Sequence, residues 1–307
     1  MKTIVKNRKQ KIYSAFGFLL ESEIDLPELI PGEGITEVGI IFGQIPEALH
    51  APEEKNPWYE MSSDEYILRV EGVAGFYVSK GNVIIIEADQ KATEDTIRLY
   101  LLSTVFAVLL AQRSYLVLHG AAVVFRERAA LFLGHSGAGK SLIANGFYMR
   151  NQRVIADEIC AIKVIDNRVM IFPGIAQINV WKSCLKGEFD SMETFVPVRE
   201  GLLKYAVSIG DSHSFQMKPT EVCNLLALKE SNGPASEIKM LTGIEKMNQI
   251  LRNSYFKSLL ELTLGKKEFF RLCAAVGNGC VLKELVKNRD VLSHTQLVDV
   301  ISMELGI

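Results

Sequence analysis

AALFLGHSGAGKS, residues 129–141, is an apolar strand-like run that breaks into glycines and ends on Lys-Ser. Gly134, Gly139, Lys140 and Ser141 complete the pattern GxxxxGK[ST], with a further glycine at position 137. Glycines let a backbone turn tightly enough for several N–H groups to converge on phosphate oxygens. A helix predicted from Ser141 to about Asn151 adds its own free amides and positive end. Lys140 then reaches the outer phosphates, and the Ser141 hydroxyl is a ligand for Mg²⁺. His135, Ser136 and Ala138 fill the variable positions, so the nucleotide-binding loop is expected to span Gly134–Ser141. No base-reading motif accompanies it. ATP is the expected nucleotide, and GTP stays open.

The next segment, RVIADE (153–158), reads as a strand ending in two carboxylates. Ligands in an α/β sheet sit beyond the carboxyl ends of the strands, so Asp157 and Glu158 are expected beside the loop. Two chemistries fit this strand–loop–helix–strand unit. In an ATPase the first carboxylate handles Mg²⁺ and the second polarises water. In a kinase one carboxylate takes the proton of an incoming alcohol and the other assists the metal.

Upstream, AFGFLL, EVGIIFG, YILRVEG, AGFYVS and NVIIIEA are short apolar runs punctuated by Gly and Pro, which predicts a mostly antiparallel β region. The period changes after Thr93, a plausible N-cap followed by Glu94 and Asp95. Ile97, Leu101, Val105, Val108 and Leu109 then predict a buried helix over 94–112, lying between two layers. YLVLH and AAVVF read as two strands ahead of the loop. CAIKVID and RVMIFPG read as a hairpin turning at Asn167-Arg168, and YAVSI and HSFQM as further strands. Beyond Pro219 the pattern reads as helical over Val222–Lys229, Ile238–Leu251 and Tyr255–Leu262, with another helix in the tail. The expected division is 1–112, a β region with a closing helix; 113–218, the catalytic core; and 219–307, a helical C-terminal region.

The chain has 307 residues, enough for a sizeable core, and its net charge of −2 shows no footprint for nucleic acid. Five cysteines without a CxxC pair read as thiols of a reducing compartment. The apolar run Leu99–Ala111 is too short to cross a bilayer. The expectation is a cytoplasmic protein with no membrane partner.

LHGAAVVF (118–125), LFLGHSGAGKS (131–141) and RVIADEICAI (153–162) together resemble the catalytic core of the bacterial HPr kinase/phosphorylase family. The resemblance implies an α/β fold with a P-loop kinase core related to phosphoenolpyruvate carboxykinase. It would combine a mixed sheet, an antiparallel N-terminal portion and a helical C-terminal tail. It places Lys140 and Ser141 on the phosphate and Mg²⁺ ligands, Asp157 on the carboxylate that takes the serine proton, Glu158 on the second, metal-linked acid, and His119 beside the site. Asp157 also counts as a metal-side residue. The second acid is glutamate where the family has aspartate, which moves the carboxylate by about 1.5 Å, one carbon–carbon bond. Val198–Leu202 loosely echoes the family's glycine-rich signature.

YSAFGFLLESEIDLPEL (13–29), LYLLSTVFAVLLAQRSYLVLHG (99–120) and FPGIAQINVWKSCL (172–185) resemble the HPr-kinase-related proteins found with ribosomally made peptides. Among them are the tailoring kinases of lasso-peptide clusters, which implies a serine of a precursor peptide as acceptor; the parent kinases form ring-like oligomers, which implies a homo-oligomer here. Lys204, opening KYAVSI, is a further candidate to offset charge on the transferring phosphoryl group. Trp181 is a candidate floor of the site. A kinase of a small hydroxylated metabolite and a nucleotide-regulated module without transfer are the alternatives.

Overall fold

A computed structural model describes residues 9–181, 196–197, 204–209, 213–231, 237–288 and 294–306. The N-terminal part is built from β1 (Lys11–Ala15), β2 (Phe18–Ser22), β3 (Ile30–Pro31), β4 (Val38–Phe42) and β5 (Glu54–Lys55). It continues with β6 (Tyr59–Met61), β7 (Glu65–Val70), β8 (Ala74–Ser79) and β9 (Val83–Ala88). These form one sheet in the order β3-β1-β2-β4-β9-β8-β7-β6-β5. Strands β7, β8 and β9 pair antiparallel as their short links require, but β2–β4 and β4–β9 are parallel. The longer segments on either side of β4 carry the chain back across the sheet, which a parallel pair needs. AFGFLL is not one strand either. Phe16 (φ 53°) and Gly17 (φ 83°) are both left-handed and make the two-residue turn of the β1–β2 hairpin.

That turn is a plug. Phe16 is buried, its ring meets Phe106 edge-on at 5.9 Å, and its carbonyl accepts from the Tyr115 hydroxyl at 2.8 Å. Phe106 belongs to the helical segment expected over 94–112, seen as α1 (Glu94–Tyr100), a π-turn (Leu101–Val105) and α2 (Phe106–Gln112). Thr93 caps it by accepting from the Thr96 amide. The Ser103 hydroxyl donates to the Leu99 carbonyl at 2.6 Å inside the widened turn, a back-bond that competes with the regular helical pattern. Phe106 to Ala111 are all buried, because the helix lies between β8 on one side and β10 on the other.

The second sheet carries the loop. It starts with β10 (Leu116–Phe125), β11 (Arg128–Leu133), β12 (Arg153–Ile165) and β13 (Arg168–Phe172), with α3 (Lys140–Tyr148) between β11 and β12. YLVLH and AAVVF are one strand through Gly120. A Cβ there would lie 2.8 Å from Leu131 Cδ1 and 2.9 Å from the Phe132 carbonyl oxygen, so only glycine fits between the neighbouring strands. The β12–β13 hairpin turns at Asp166-Asn167, both left-handed, one residue earlier than expected. A small sheet follows, β14 (Gln177–Trp181), β15 (Val196–Pro197) and β16 (Lys204–Ser208), in the order β14-β16-β15. HSFQM contributes only a bridge between Phe215 and Val154. Val198–Leu202 and Lys182–Leu185 lie outside the described residues.

The expected helical C-terminal region is corrected most. Val222–Lys229 lies in β17 (Thr220–Ser231), and the run from Ile238 divides into β18 (Glu237–Met240) and α4 (Gly243–Arg252). Then come α5 (Lys257–Leu264), α6 (Lys266–Gly279), β19 (Val281–Asn288) and α7 (His294–Leu305). The sheet order is β11-β10-β12-β13-β17-β19-β18, and β17 also pairs with β11, which closes a ring of strands. A strand covered on both faces is a continuous apolar run without period-2 alternation, and VCNLLAL reads equally well as a buried helix. The β11 and β19 pairings decide it. Since β11, β17 and β19 are parallel, their carboxyl ends share one edge. No helix among the described residues is long and apolar enough to cross a membrane.

Candidate active site

The glycine-rich loop joins the end of β11 to α3 at that shared edge. Gly134 (φ 149°), Gly137 (φ 86°) and Gly139 (φ 96°) all hold conformations that side chains rarely adopt. At Gly134 a Cβ would also sit 3.0 Å from the Leu228 carbonyl oxygen of β17. Gly139 is the left-handed N-cap of α3. Lys140 is buried and folded back: its Nζ donates to the carbonyls of Gly134 at 2.8 Å and His135 at 2.9 Å. The loop therefore encloses a positive charge next to a helix N-terminus, which is a setting for an anion of phosphate size. Ala138 is buried, whereas His135, Ser136 and Gly137 are exposed.

The acids are not at a strand end. Asp157 and Glu158 lie within β12, because β10 is long enough to pair on both sides of them: Ala121 faces Asp157 and Gly120 faces Glu158. Their level still matches the end of β11, since Gly120 also faces Leu133. Consecutive strand residues normally point to opposite faces. Glu158 has φ 74°, uncommon for a non-glycine, and this breaks the alternation. Both carboxylates consequently reach one residue, Asn179 of β14. The Asn179 amide N–H donates to Asp157 Oδ2 at 2.8 Å, and its Nδ2 donates to Glu158 Oε2 at 2.9 Å. The second Asp157 oxygen, Oδ1, accepts from the Ser141 hydroxyl at 2.8 Å. Asp157 is 5% exposed, and Glu158 is the more accessible acid.

His119 lies on β10 beside Glu158. Its Nδ1 is 3.2 Å from the Glu158 carbonyl oxygen, which only accepts, so Nδ1 carries the proton in that contact. That bond ties the histidine to the Glu158 peptide, which has the left-handed φ. Lys204 opens β16 opposite Trp181. The side chains of both lie outside the described residues.

Three parts of the neighbourhood carry no sequence motif. Asn253, buried after α4, accepts the Gly134 amide on Oδ1 at 2.8 Å, and its carbonyl accepts the His119 amide at 2.7 Å. One asparagine thereby ties the loop to the histidine strand. Tyr255 packs 6.0 Å from the His119 ring. Burial raises the Tyr255 pKa, and the Glu158 charge raises it further. At the ends of β17 and β19, Lys287 Nζ lies 3.7 Å from Glu230 and 3.4 Å from where a Gly139 Cβ would stand. That places a second cation against the helix-side end of the loop. Asn179 did fall inside a quoted stretch, FPGIAQINVW, but nothing in its spacing marks it as a partner of the acids.

Among the described residues no group of three or more His, Cys, Asp and Glu is arranged for a metal ion. A cation here needs the Ser141 hydroxyl and amide oxygens as well as the carboxylates. These are hard oxygen donors of the kind magnesium takes. Among the described residues the buried Asn179 side-chain oxygen has no hydrogen-bond partner, which fits such a donor set.

A scan against models of known families finds no match, and a sequence search of curated proteins finds none. Among solved structures, the Hpr(Ser) kinase/phosphatase from Coxiella burnetii overlaps 62% of this chain and 95% of its own, at 9% identity and a TM-score of 0.31. A likeness of that size leaves the chemistry to be read from the site's own geometry.

Proposed function

We propose that this protein is an ATP- and Mg²⁺-dependent kinase that moves the γ-phosphoryl group to a serine hydroxyl of a peptide or small protein. The observation that carries the reading is the Ser141 Oγ–Asp157 Oδ1 hydrogen bond of 2.8 Å, which joins a phosphate-type loop directly to a paired acid. The acceptor class, a ribosomally made precursor peptide, rests on the sequence resemblance.

Magnesium, bound with the nucleotide, would neutralise charge on the transferring phosphoryl group, with Ser141, Asp157, Glu158 and Asn179 as the oxygens in reach. The chain's own residues do the rest. Loop amides and the α3 terminus orient the phosphates. Lys140 exchanges its two carbonyl partners for phosphate oxygens. The serine oxygen attacks the γ-phosphorus as the bond to the β-phosphate oxygen breaks, ADP leaves, and the hydroxyl proton passes to Asp157. His119 steadies the Glu158 peptide through its carbonyl.

A second assignment has its own observation. Both Asp157 oxygens are already turned to Ser141 and Asn179, which suits a carboxylate on the metal side and makes the more exposed Glu158 the proton acceptor. Asp157→Asn and Glu158→Gln separate the two. The base variant should keep Mg-ATP affinity and lose transfer to a serine peptide by about 10²–10⁴-fold. The metal-side variant should lose affinity as well and recover partly at high Mg²⁺. Calorimetry and the mass of the phosphorylated peptide are the readouts. Full transfer by both variants would sink the phosphotransfer reading.

A further inference from the structure

We propose that Asn179 positions the acidic pair and lends its side-chain oxygen to the divalent cation. This deepens the phosphotransfer reading and rests on it. Two adjacent carboxylates repel each other. Asn179 counters this from one position, its main-chain N–H on Asp157 Oδ2 and its Nδ2 on Glu158 Oε2. These two hydrogen bonds hold the carboxylates at a fixed spacing. A carboxylate only accepts, so the NH₂ end must face Glu158 and the oxygen must face away.

That oxygen is the telling atom. Asn179 is 4% exposed, and among the described residues its Oδ1 has no hydrogen-bond partner, although its N–H and its Nδ2 both donate. A buried acceptor is costly to leave unpaired and is normally matched to a donor, a water or an ion. The residue that carries it is bonded to both carboxylates, and the Ser141 hydroxyl is bonded to one of them. A neutral amide oxygen adds a hard donor without adding a third negative charge. The fold supports the placement, since β14 packs on both α3 and β12 and brings Asn179 between the loop helix and the acid strand.

The test uses the full chain with Mn²⁺ and ADP, following free Mn²⁺ by electron paramagnetic resonance. Asn179→Ala keeps the main-chain bond to Asp157 and removes the side-chain oxygen. It should weaken Mn²⁺ binding about 10–100-fold, the usual effect of losing a supporting group at a metal site. The Mg²⁺ needed for half-maximal transfer should rise in parallel, with kcat largely restored at saturating metal. ADP affinity without metal should hold. Asn179→Cys supplies the readout that a purely structural role would not move: transfer poor with Mg²⁺ and improved by the thiophilic Cd²⁺. Wild-type Mn²⁺ binding by a folded Asn179→Ala would overturn the proposal, as would an Asn179→Cys indifferent to the metal used. If the wild-type chain holds no Mn²⁺ with ADP, the phosphotransfer reading itself falls and takes this one with it.

Discussion

Lys140 has two alternative sets of partners. In the structure its ammonium is satisfied by the Gly134 and His135 carbonyls, so no charge is stranded in the buried loop. A bound phosphate offers charged oxygens instead of neutral ones, and charge-assisted hydrogen bonds are about twice as strong. Lys140→Ala is therefore expected to lower Mg-ATP affinity by about 10–100-fold, from the roughly 1.5–3 kcal/mol of such a bond. Titration calorimetry reads this directly, and wild-type-like binding would mean that the phosphates go elsewhere. The thiols of Cys160, Cys273 and Cys280, by contrast, are buried packing groups. Burial pushes Cys273 and Cys280 up to about 12 and Cys160 well above the ordinary thiol range, where nucleophilic thiolate is scarce.

Among the elements, the β1–β2 hairpin does the most for its size, since its two-residue turn reaches the space between the sheets. Gly17 has φ 83°, and a Cβ there would lie 2.4 Å from Phe172 Cδ1. Gly17→Ala combines left-handed strain with overpacking and should cost about 2–5 kcal/mol. A urea melt would show it as a lower midpoint with an unchanged slope. An unchanged midpoint would mean that the hairpin tip is loosely held. The loop sits where β11, β17 and β19 end together, and this is why Glu230 and Lys287 stand beside a glycine far away in sequence.

For the whole molecule, one apolar cluster runs from Phe16 and Ile40 through Phe106 and Leu118 to Ile171, Leu225 and Phe269. It joins the N-terminal sheet, the helix over 94–112, the ring of strands and helices α4 to α6, while a second cluster with Phe147, Ile178 and Ile301 gathers α3, β14 and α7. Neither the N-terminal sheet nor the ring of strands can open without exposing part of the first cluster, so thermal unfolding should be a single transition with equal calorimetric and van't Hoff enthalpies. Two resolved transitions would show that the 1–112 segment folds on its own. Deleting residues 1–92 should leave α2 uncovered on the β8 side and the product aggregated, which solubility and light scattering would report.

Local chemistry wrote some of this protein plainly. GHSGAGKS needs its glycines for backbone angles that other residues avoid. Thr93 with Glu94 and Asp95 marks a helix start through capping and charge near the exposed amides. AGFYVS alternates between buried and half-buried positions because one face of its strand is covered. These signals span a few residues and survive without the rest of the chain. Other features exist only through contacts across the fold. VCNLLAL is a strand because β11 and β19 offer it hydrogen-bond partners, and AFG is a turn because a pocket between the sheets accepts Phe16. The acids meet on one residue because Glu158 takes a left-handed conformation against β10. Asn179 and Asn253 join the site from segments whose spacing reveals nothing, because an asparagine's partners are set by what the sheets bring beside it. Periodicity and turn chemistry are properties of neighbours in sequence, whereas convergence of polar groups is a property of neighbours in space.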